Sequence, residues 1–150
     1  MFHRFLLPFL ALLCGTGGET ALHLACRRGH ASVAQALLAA GALCDQGDWT
    51  ALHSACRNGD LCMVQLLLEA GASSKRVCEG GWTPLLIAAH NGHLELVELL
   101  LDAKADKDQA SENKVWTPLQ IATAGGHLEI ARLLQFHQRD GEPDPKRQKS

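Results

Sequence analysis

The sequence predicts an all-α protein built from tandem pairs of helices. Leu and Ala dominate the composition and favour helices, whereas runs of Val, Ile and Thr that would favour strands are absent. Hydrophobic residues make up 47% of the 150 residues, which is enough to bury the core of one domain. One sequence pattern also recurs four times, and this recurrence predicts units that stack on one another.

The four copies of the pattern align with one another without gaps. They begin at Glu19, Trp49, Trp82 and Trp116, and they read "ETALHLACRRGHASVAQALLAAGA", "WTALHSACRNGDLCMVQLLLEAGA", "WTPLLIAAHNGHLELVELLLDAKA" and "WTPLQIATAGGHLEIARLLQFHQR". A period of about 33 residues is the length of one supersecondary unit. The alignment therefore sets a register in which equivalent positions of the four copies can be compared.

Each copy predicts a first helix, a tight turn and a second helix. A threonine precedes the first helix and can accept hydrogen bonds from its free N–H groups, and in two copies a proline follows at the first helical position. A glycine then ends this helix by adopting a left-handed conformation, and a Leu-rich run forms the second helix. The threonines and glycines are Thr20, Thr50, Thr83 and Thr117, and Gly29, Gly59, Gly92 and Gly126.

The pattern T-P-L-H-x-A, followed by G-H-L-E, a Leu run and G-A, resembles the ankyrin repeat. The resemblance covers about residues 18–138 and implies a solenoid of helix-turn-helix units with β-turn fingers between the repeats. It also implies a concave groove that binds other proteins. The repeats are expected at about 18–45, 48–78, 81–111 and 115–138.

A possible metal site lies in the first copy, where His23, Cys26 and His30 have spacings that zinc ligands can have. The register argues against it, because a ligand set would not be lost while its scaffold is retained. The equivalent residues are His53, Cys56 and Asp60 in the second copy, and Leu86, Ala89 and His93 in the third. We therefore interpret the histidine at the start of the first helix as a structural hydrogen-bonding group, and we predict neither a metal nor a cofactor.

The six cysteines are an even set, but two of them cannot pair with each other. Cys26 and Cys56 occupy equivalent positions of adjacent repeats, about 10 Å apart, which is too far for a disulfide. Buried free thiols favour a reducing compartment, so we expect a cytoplasmic protein. The sequence contains no phosphate-binding loop, H-E-x-x-H or G-x-S-x-G motif, and we expect no catalytic residues and no enzymatic activity.

The N-terminal segment, residues 1–17, has two interpretations. It carries Arg4, an apolar run over residues 5–13 and then small residues, which is the outline of a secretory signal and is too short to span a bilayer. A signal would direct the chain to the secretory pathway. The alternative is a helix that covers the open side of the first repeat through Phe5, Leu6, Phe9 and Leu12. Residues 139–150 are predicted to be a polar, disordered tail.

The candidate binding residues follow from position in the repeat and from charge. A net charge of −2 does not favour a nucleic-acid partner, and membrane association is not expected. By resemblance to the family, the ends of the first helices line the groove, which is basic at its N-terminal end. This favours a partner protein with an acidic segment; the alternative for each single residue of the row is an ordinary solvated face. The row consists of Arg27, Arg28, Arg57, Asn58, His90 and Asn91.

The three tryptophans stand in one register, directly before the capping threonines. Trp49, Trp82 and Trp116 are thus expected to form a ladder along one edge of the stack. They either pack against the neighbouring finger or form part of the binding surface, where tryptophan is enriched at hot spots.

These observations together predict a monomeric, non-catalytic module that binds a partner protein through the groove and the finger edge. The alternative function is a substrate-recruiting adaptor subunit of an enzyme complex, such as a ubiquitin ligase or a kinase/phosphatase assembly.

Overall fold

A computed structural model describes residues 19–112 and 116–137. These residues form eight α-helices, and no strand occurs among them. The predicted all-α solenoid of helix-turn-helix units is therefore confirmed. The helices are α1 (Ala21–Arg28), α2 (Ala31–Ala39), α3 (Ala51–Asn58), α4 (Leu61–Glu69), α5 (Pro84–Asn91), α6 (Leu94–Asp102), α7 (Pro118–Ala124) and α8 (Leu128–Phe136).

The helices form two layers. The first helices of the repeats, α1, α3, α5 and α7, pack in sequence, and the second helices, α2, α4, α6 and α8, pack in sequence behind them. The core lies between the layers, and each first helix contributes buried residues to it. In α5 every residue from Pro84 to Ala89 is buried. Small residues such as Ala55 and Ala88 are fully buried and allow the close approach of neighbouring helices.

The predicted caps determine where the first helices begin and end. The hydroxyl oxygen of Thr83 accepts a hydrogen bond from the backbone N–H of Leu86 at 3.2 Å, which satisfies one free donor of α5. At the other end Gly92 has φ of 77°, a left-handed conformation that a side chain disfavours. The first helix of the fourth repeat, α7, ends one residue earlier than the first helices of the other repeats. There Gly125 has a right-handed conformation, and the left-handed residue is Gly126.

A second constraint acts on two of these glycines, because a histidine of the next repeat lies against each of them. A Cβ atom at Gly59 would come within 2.6 Å of the His93 ring, and one at Gly92 would come within 2.6 Å of the His127 ring. Nε2 of His127 also lies 3.2 Å from the backbone carbonyl oxygen of His90. Glycine at these positions therefore permits both the turn and the close contact between repeats.

The fingers between repeats are joined by hydrogen bonds. The Arg76 guanidinium donates to the carbonyls of Asp45 at 3.3 Å and Gly47 at 3.1 Å, and the Ser73 N–H donates to the Asp45 carboxylate at 3.1 Å. These bonds cross from the second finger to the first, so they fix the spacing of adjacent repeats on the finger side. The predictions made for residues 1–17, including the covering role of Phe5, Leu6, Phe9 and Leu12, and for residues 139–150 lie outside the described residues.

Candidate functional site

The histidines of the first two repeats connect each repeat to the next finger. The Thr20 N–H donates to Nδ1 of His23 at 3.1 Å, so Nε2 carries the proton and donates to the Trp49 carbonyl at 2.7 Å. His53 repeats this arrangement with the Thr50 N–H at 3.1 Å and the Trp82 carbonyl at 3.2 Å. The structural interpretation of these histidines is confirmed, and they hold the backbone of the two tryptophans.

Burial keeps the second of these histidines neutral. His53 is fully buried, and desolvation lowers the pKa of its imidazole, although the hydrogen bond to the Trp82 carbonyl acts in the opposite direction. A protonated ring would donate from both nitrogens and could no longer accept the Thr50 N–H. The neutral ring is therefore part of the folded structure.

The His23, Cys26 and His30 set does not assemble into a metal site. Both ring nitrogens of His23 are engaged by backbone groups, and the side chain of Cys26 is fully buried. Burial raises the pKa of the Cys26 thiol to about 12, so the thiol is protonated at neutral pH. No group of three His, Cys, Asp or Glu side chains suited to a metal occurs in the part of the chain that the structure describes.

A first hollow lies between the ends of the first helices of repeats one and two, with a volume of about 320 Å³. The Arg27 guanidinium contacts the Glu19 carboxylate at 2.8 and 3.2 Å, so much of its charge is balanced within the fold. The Trp49 ring donates from Nε1 to the Ser54 hydroxyl at 2.8 Å. The hollow is lined by Glu19, Arg27, Trp49, Ser54, Arg57 and Asn58.

A second hollow, of about 460 Å³, lies between repeats two and three. The Trp82 ring meets the His90 ring edge-on, with the two centroids 5.6 Å apart, and its other contacts are with the apolar core. Ile87 forms part of the hollow and is almost entirely buried. The lining residues are Trp49, Arg57, Glu79, Trp82, Ile87, His90 and Asn91.

The two hollows share Trp49 and Arg57, which separate one from the other. The Trp49 side chain is 38% exposed, and its ring lies 5.4 Å from that of the buried His53. Arg57 is exposed at the C-terminal end of α3, and within the described ranges it has no ion-pair partner. A fixed aromatic ring beside a free guanidinium is a combination enriched at protein-binding surfaces.

The remaining predicted site residues either bond to backbone carbonyls or lie outside the two hollows. The Asn58 amide donates to the carbonyls of Cys26 and Arg27 at 3.2 and 2.8 Å, and thereby caps the end of α1. The Asn91 amide donates to the Ile87 carbonyl of its own helix at 2.8 Å. Arg28 and Trp116 are exposed, but neither lines the two hollows. The tryptophans thus share a register without sharing one surface.

Four lining residues were not predicted from the sequence. Glu19 occupies the position held by tryptophan in the other three copies, and this departure from the register was a usable signal. Ser54 and Ile87 share a register position directly after that of the structural histidine, and this position is variable in polarity among the copies. Glu79 lies in a finger, where the copies do not align, so the register carried no information about it.

Comparison with known families agrees with this geometry. A family model described as ankyrin repeats (3 copies) matches the chain twice, over residues 4–77 and 71–147. The chain belongs to the ankyrin-repeat family, whose members generally act as protein–protein interaction modules. A search of curated proteins gave no match. Among the described residues, every helix is too short or too polar to cross a bilayer.

Proposed function

We propose that the protein is a non-catalytic module that binds a partner protein across the two hollows of repeats one to three. The observation that carries the proposal is that Trp49 and Arg57 line both hollows, so one aromatic ring and one unpaired cation lie between them. A partner segment that crosses Trp49 and Arg57 contacts both hollows at once. The proposal assigns binding to groove and finger-base residues rather than to the convex face.

The charges around the hollows favour a partner with an acidic segment. Arg27 is already paired with Glu19, so Arg57 is the guanidinium in this region that remains available to a carboxylate. A carboxylate placed at Arg57 would form a charge-assisted hydrogen bond, which is stronger than a neutral one. Glu79 lies in the second hollow and opposes an extended acidic stretch there, so we expect one acidic side chain at Arg57 rather than a run of several.

The second hollow supplies an apolar contact beside that charge. Trp82 and Ile87 form its base, and both are anchored in the core, so little side-chain freedom is lost when a partner binds. An apolar side chain close in sequence to the acidic one therefore completes the recognition element. This combination is typical of a peptide segment of a folded or disordered protein and requires no chemistry from the module itself.

A cytoplasmic, monomeric form is part of the proposal. The five cysteines in the described residues are free, and three of them, Cys26, Cys56 and Cys78, are buried. Burial raises the pKa of the thiols of Cys26 and Cys56, which makes them resistant to oxidation. Free buried thiols are typical of a reducing compartment, and this supports the cytoplasm over the secretory pathway.

The test is an affinity capture from native cell extract, read by quantitative mass spectrometry. The wild type is compared with Trp49→Ala and with Arg57→Glu, after circular dichroism has shown that each variant is folded. Arg132→Glu is the matched control, because Arg132 is exposed on a second helix, away from both hollows. We expect a partner that is retained by the wild type and by Arg132→Glu and lost from both groove variants.

A partner retained by all four proteins would refute the groove as the binding surface. A partner lost from Arg132→Glu but kept by Arg57→Glu would place binding on the convex face. If the lost partner is a ligase, kinase or phosphatase subunit, the module is an adaptor of that enzyme, and the site assignment still holds.

A further inference from the structure

The two hollows occupy the same place in successive repeats. Every position that lines the first hollow recurs one repeat later among the residues that line the second, in the register of the aligned copies. A difference in what the two hollows can bind therefore comes from their side chains. The two largest differences are Ser54 in the place of Ile87 and Glu19 in the place of Trp49.

Ser54 gives the first hollow a hydrogen-bond donor. The residue is 7% exposed, and its hydroxyl oxygen accepts a hydrogen bond from Nε1 of Trp49 at 2.8 Å. The hydroxyl hydrogen has no acceptor among the described residues, so an oxygen atom of a ligand in the hollow would satisfy it. Ile87, at the equivalent position of the second hollow, has no polar side-chain atom. The first hollow thus favours a polar ligand group and the second an apolar one.

The charges of the first hollow match one negative group. Arg27 and Arg57 contribute two guanidinium charges, and the Glu19 carboxylate, which contacts Nη1 of Arg27 at 2.8 and 3.2 Å, balances one of them. A carboxylate of a ligand would balance the other. A phosphate group carries a charge of about −1.5 to −2 at neutral pH, so part of its charge would lie near Glu19 without a matching cation.

We propose that the first hollow is a pocket for a single carboxylate of the partner, bound by Arg57 and the Ser54 hydroxyl, and that Glu19 excludes phosphate groups from it. This inference rests on the proposed groove function and assigns one ligand group to each hollow, because the apolar side chain of the partner enters the second. Glu19 is then a residue that determines specificity.

The separation of the hollows determines the spacing of the two ligand groups. Equivalent positions on adjacent packed helices lie about 10 Å apart. A polyproline-type segment, which flexible peptides populate, advances about 9 Å in three residues and presents residues i and i+3 on the same side. An acidic residue and an apolar residue three positions apart therefore reach both hollows at once.

Titration of the ¹⁵N-labelled full chain with capped tetrapeptides, followed by nuclear magnetic resonance, tests the pocket. The probes are acetyl-Glu-Ala-Ala-Leu-amide and the reversed acetyl-Leu-Ala-Ala-Glu-amide, and the tighter order is compared with versions that carry phosphoserine or glutamine instead of glutamate. Trp49→Phe identifies the indole N–H signal of Trp49, which reports on the hollow through its bond to Ser54. We expect the glutamate peptide to shift this signal and to bind at least about fivefold more tightly than the other two.

The Glu19→Gln variant tests the exclusion of phosphate. It removes the negative charge beside Arg27, so we expect the affinity ratio of the phosphoserine peptide to the glutamate peptide to rise at least about fivefold. Glu129→Gln is the matched control, because it makes the same change of net charge on α8, outside both hollows. We expect this control to leave the ratio unchanged within about twofold.

Two substitutions of Ser54 test the hydroxyl donor, with the Asn58 side-chain amide as the reporter signal because both change the surroundings of Trp49. Ser54→Ala should weaken binding of the glutamate peptide at least about threefold, and Ser54→Thr, which keeps the hydroxyl, should restore it. Threonine fits this position, since the equivalent residues Leu24, Ile87 and Ile121 are larger than serine. Equal binding by the alanine and threonine variants would refute the role of the hydroxyl.

Three further outcomes would overturn the inference. These are a wild type that binds the phosphoserine peptide more tightly, an affinity ratio that both glutamine variants change equally, and no shift of the Trp49 signal by about 10 mM glutamate peptide. None of the titrations uses the partner protein. A carboxylate preference without a groove-dependent partner would refute the proposed function alone, and a groove-dependent partner without this preference would refute the pocket alone.

Discussion

The junctions between repeats one, two and three differ from the junction between repeats three and four. In the first two junctions a buried histidine connects the capping threonine to the carbonyl of the next tryptophan. In the third repeat the same position holds Leu86, which is fully buried and can form no such bond. In the last junction the His127 ring, at the start of α8, lies within hydrogen-bonding distance of the His90 carbonyl.

This difference shows that one backbone arrangement is compatible with two kinds of junction. The histidine junctions fix the finger base through directional bonds, whereas the Leu86 junction relies on apolar burial. The proposed binding residues Trp49 and Trp82 follow the two histidine junctions, so the precise positioning of side chains and the candidate site occur in the same part of the stack.

Exchanging the residues of the two kinds of junction has the largest expected effect. His53→Leu leaves the buried Thr50 N–H without its acceptor and removes one of two donors to the Trp82 carbonyl, which keeps its bond from the Cys78 N–H at 3.0 Å. We expect the free energy of unfolding to fall by about 2 kcal/mol. Leu86→His introduces a ring that can bond to the Thr83 N–H and the Trp116 carbonyl, so we expect a loss below about 1.5 kcal/mol. Urea unfolding of both variants measures the difference.

Leu86→His acts as the control for His53→Leu, because both exchanges change the volume of a fully buried side chain. Equal losses in the two variants would mean that shape alone determines the junctions. A larger loss in Leu86→His would contradict the view that the register allows a histidine junction in every repeat.

The pH dependence of stability also distinguishes the histidine junctions from the Leu86 junction, and the expected effect is smaller than that of the exchanges. The pKa of His53 is lowered by burial, so below about pH 6.5 the unfolded chain binds a proton that the folded chain does not. Its contribution to stability is complete above that pH and is lost as the pH falls towards the folded-state pKa. We expect acidification from pH 7.5 to 5.5 to lower the unfolding temperature more in the wild type than in His53→Gln.

Gln120 of the fourth repeat makes His53→Gln a suitable control. The Gln120 amide oxygen accepts the Thr117 N–H at 3.0 Å, so glutamine can retain the cap without titrating in this range. Identical pH profiles for the two proteins would show that the His53 pKa does not contribute to the acid sensitivity.

A third difference lies after the second helices and has the smallest expected effect. Lys104 has φ of 63°, where the equivalent Gly41 and Gly71 have φ of 90° and 93°. A left-handed conformation costs a residue with a side chain about 1–2 kcal/mol, and a glycine at that position avoids this cost. Glycine also gives the unfolded chain more conformational freedom, which offsets part of the stabilisation. We therefore expect Lys104→Gly to stabilise the protein by about 0.5 kcal/mol and Gly71→Lys to destabilise it by a similar amount, as measured by thermal unfolding.

The second of these variants isolates the backbone effect. A Cβ atom at Gly71 would meet no atom within 4 Å, so the substitution introduces no clash. A loss of stability in Lys104→Gly would indicate that contacts of the lysine side chain outweigh the backbone strain.

The sequence was sufficient to predict the features that depend on register. The capping threonines, the left-handed glycines and the structural role of His23 and His53 follow from positions that repeat along the chain, because each depends on neighbours a few residues away or on the same position one repeat later. The family resemblance predicted that the ends of the first helices line a binding groove, and this stays a prediction. Arg57 and His90, from two of these ends, line the second hollow.

The sequence could not predict the features that depend on distances between non-equivalent residues. The Glu19–Arg27 ion pair neutralises part of the expected basic row, and the Asn58 amide is used to cap the helix before it. Both interactions join side chains whose separation is determined by the stacking of helices rather than by the period. The same holds for Glu79, which reaches the second hollow from a finger of non-repeating sequence.

The measurement that tests the central claim most directly is the affinity of the captured partner for two charge variants at equivalent positions. Arg57→Glu places a negative charge between the hollows, and Ala124→Glu places the same charge at the exposed, equivalent position of repeat four. Isothermal titration should show binding at least about tenfold weaker for Arg57→Glu, corresponding to a loss of about 1.4 kcal/mol, and unchanged within about twofold for Ala124→Glu. Equal weakening by both variants, or weakening by Ala124→Glu alone, would contradict the assignment of binding to repeats one to three.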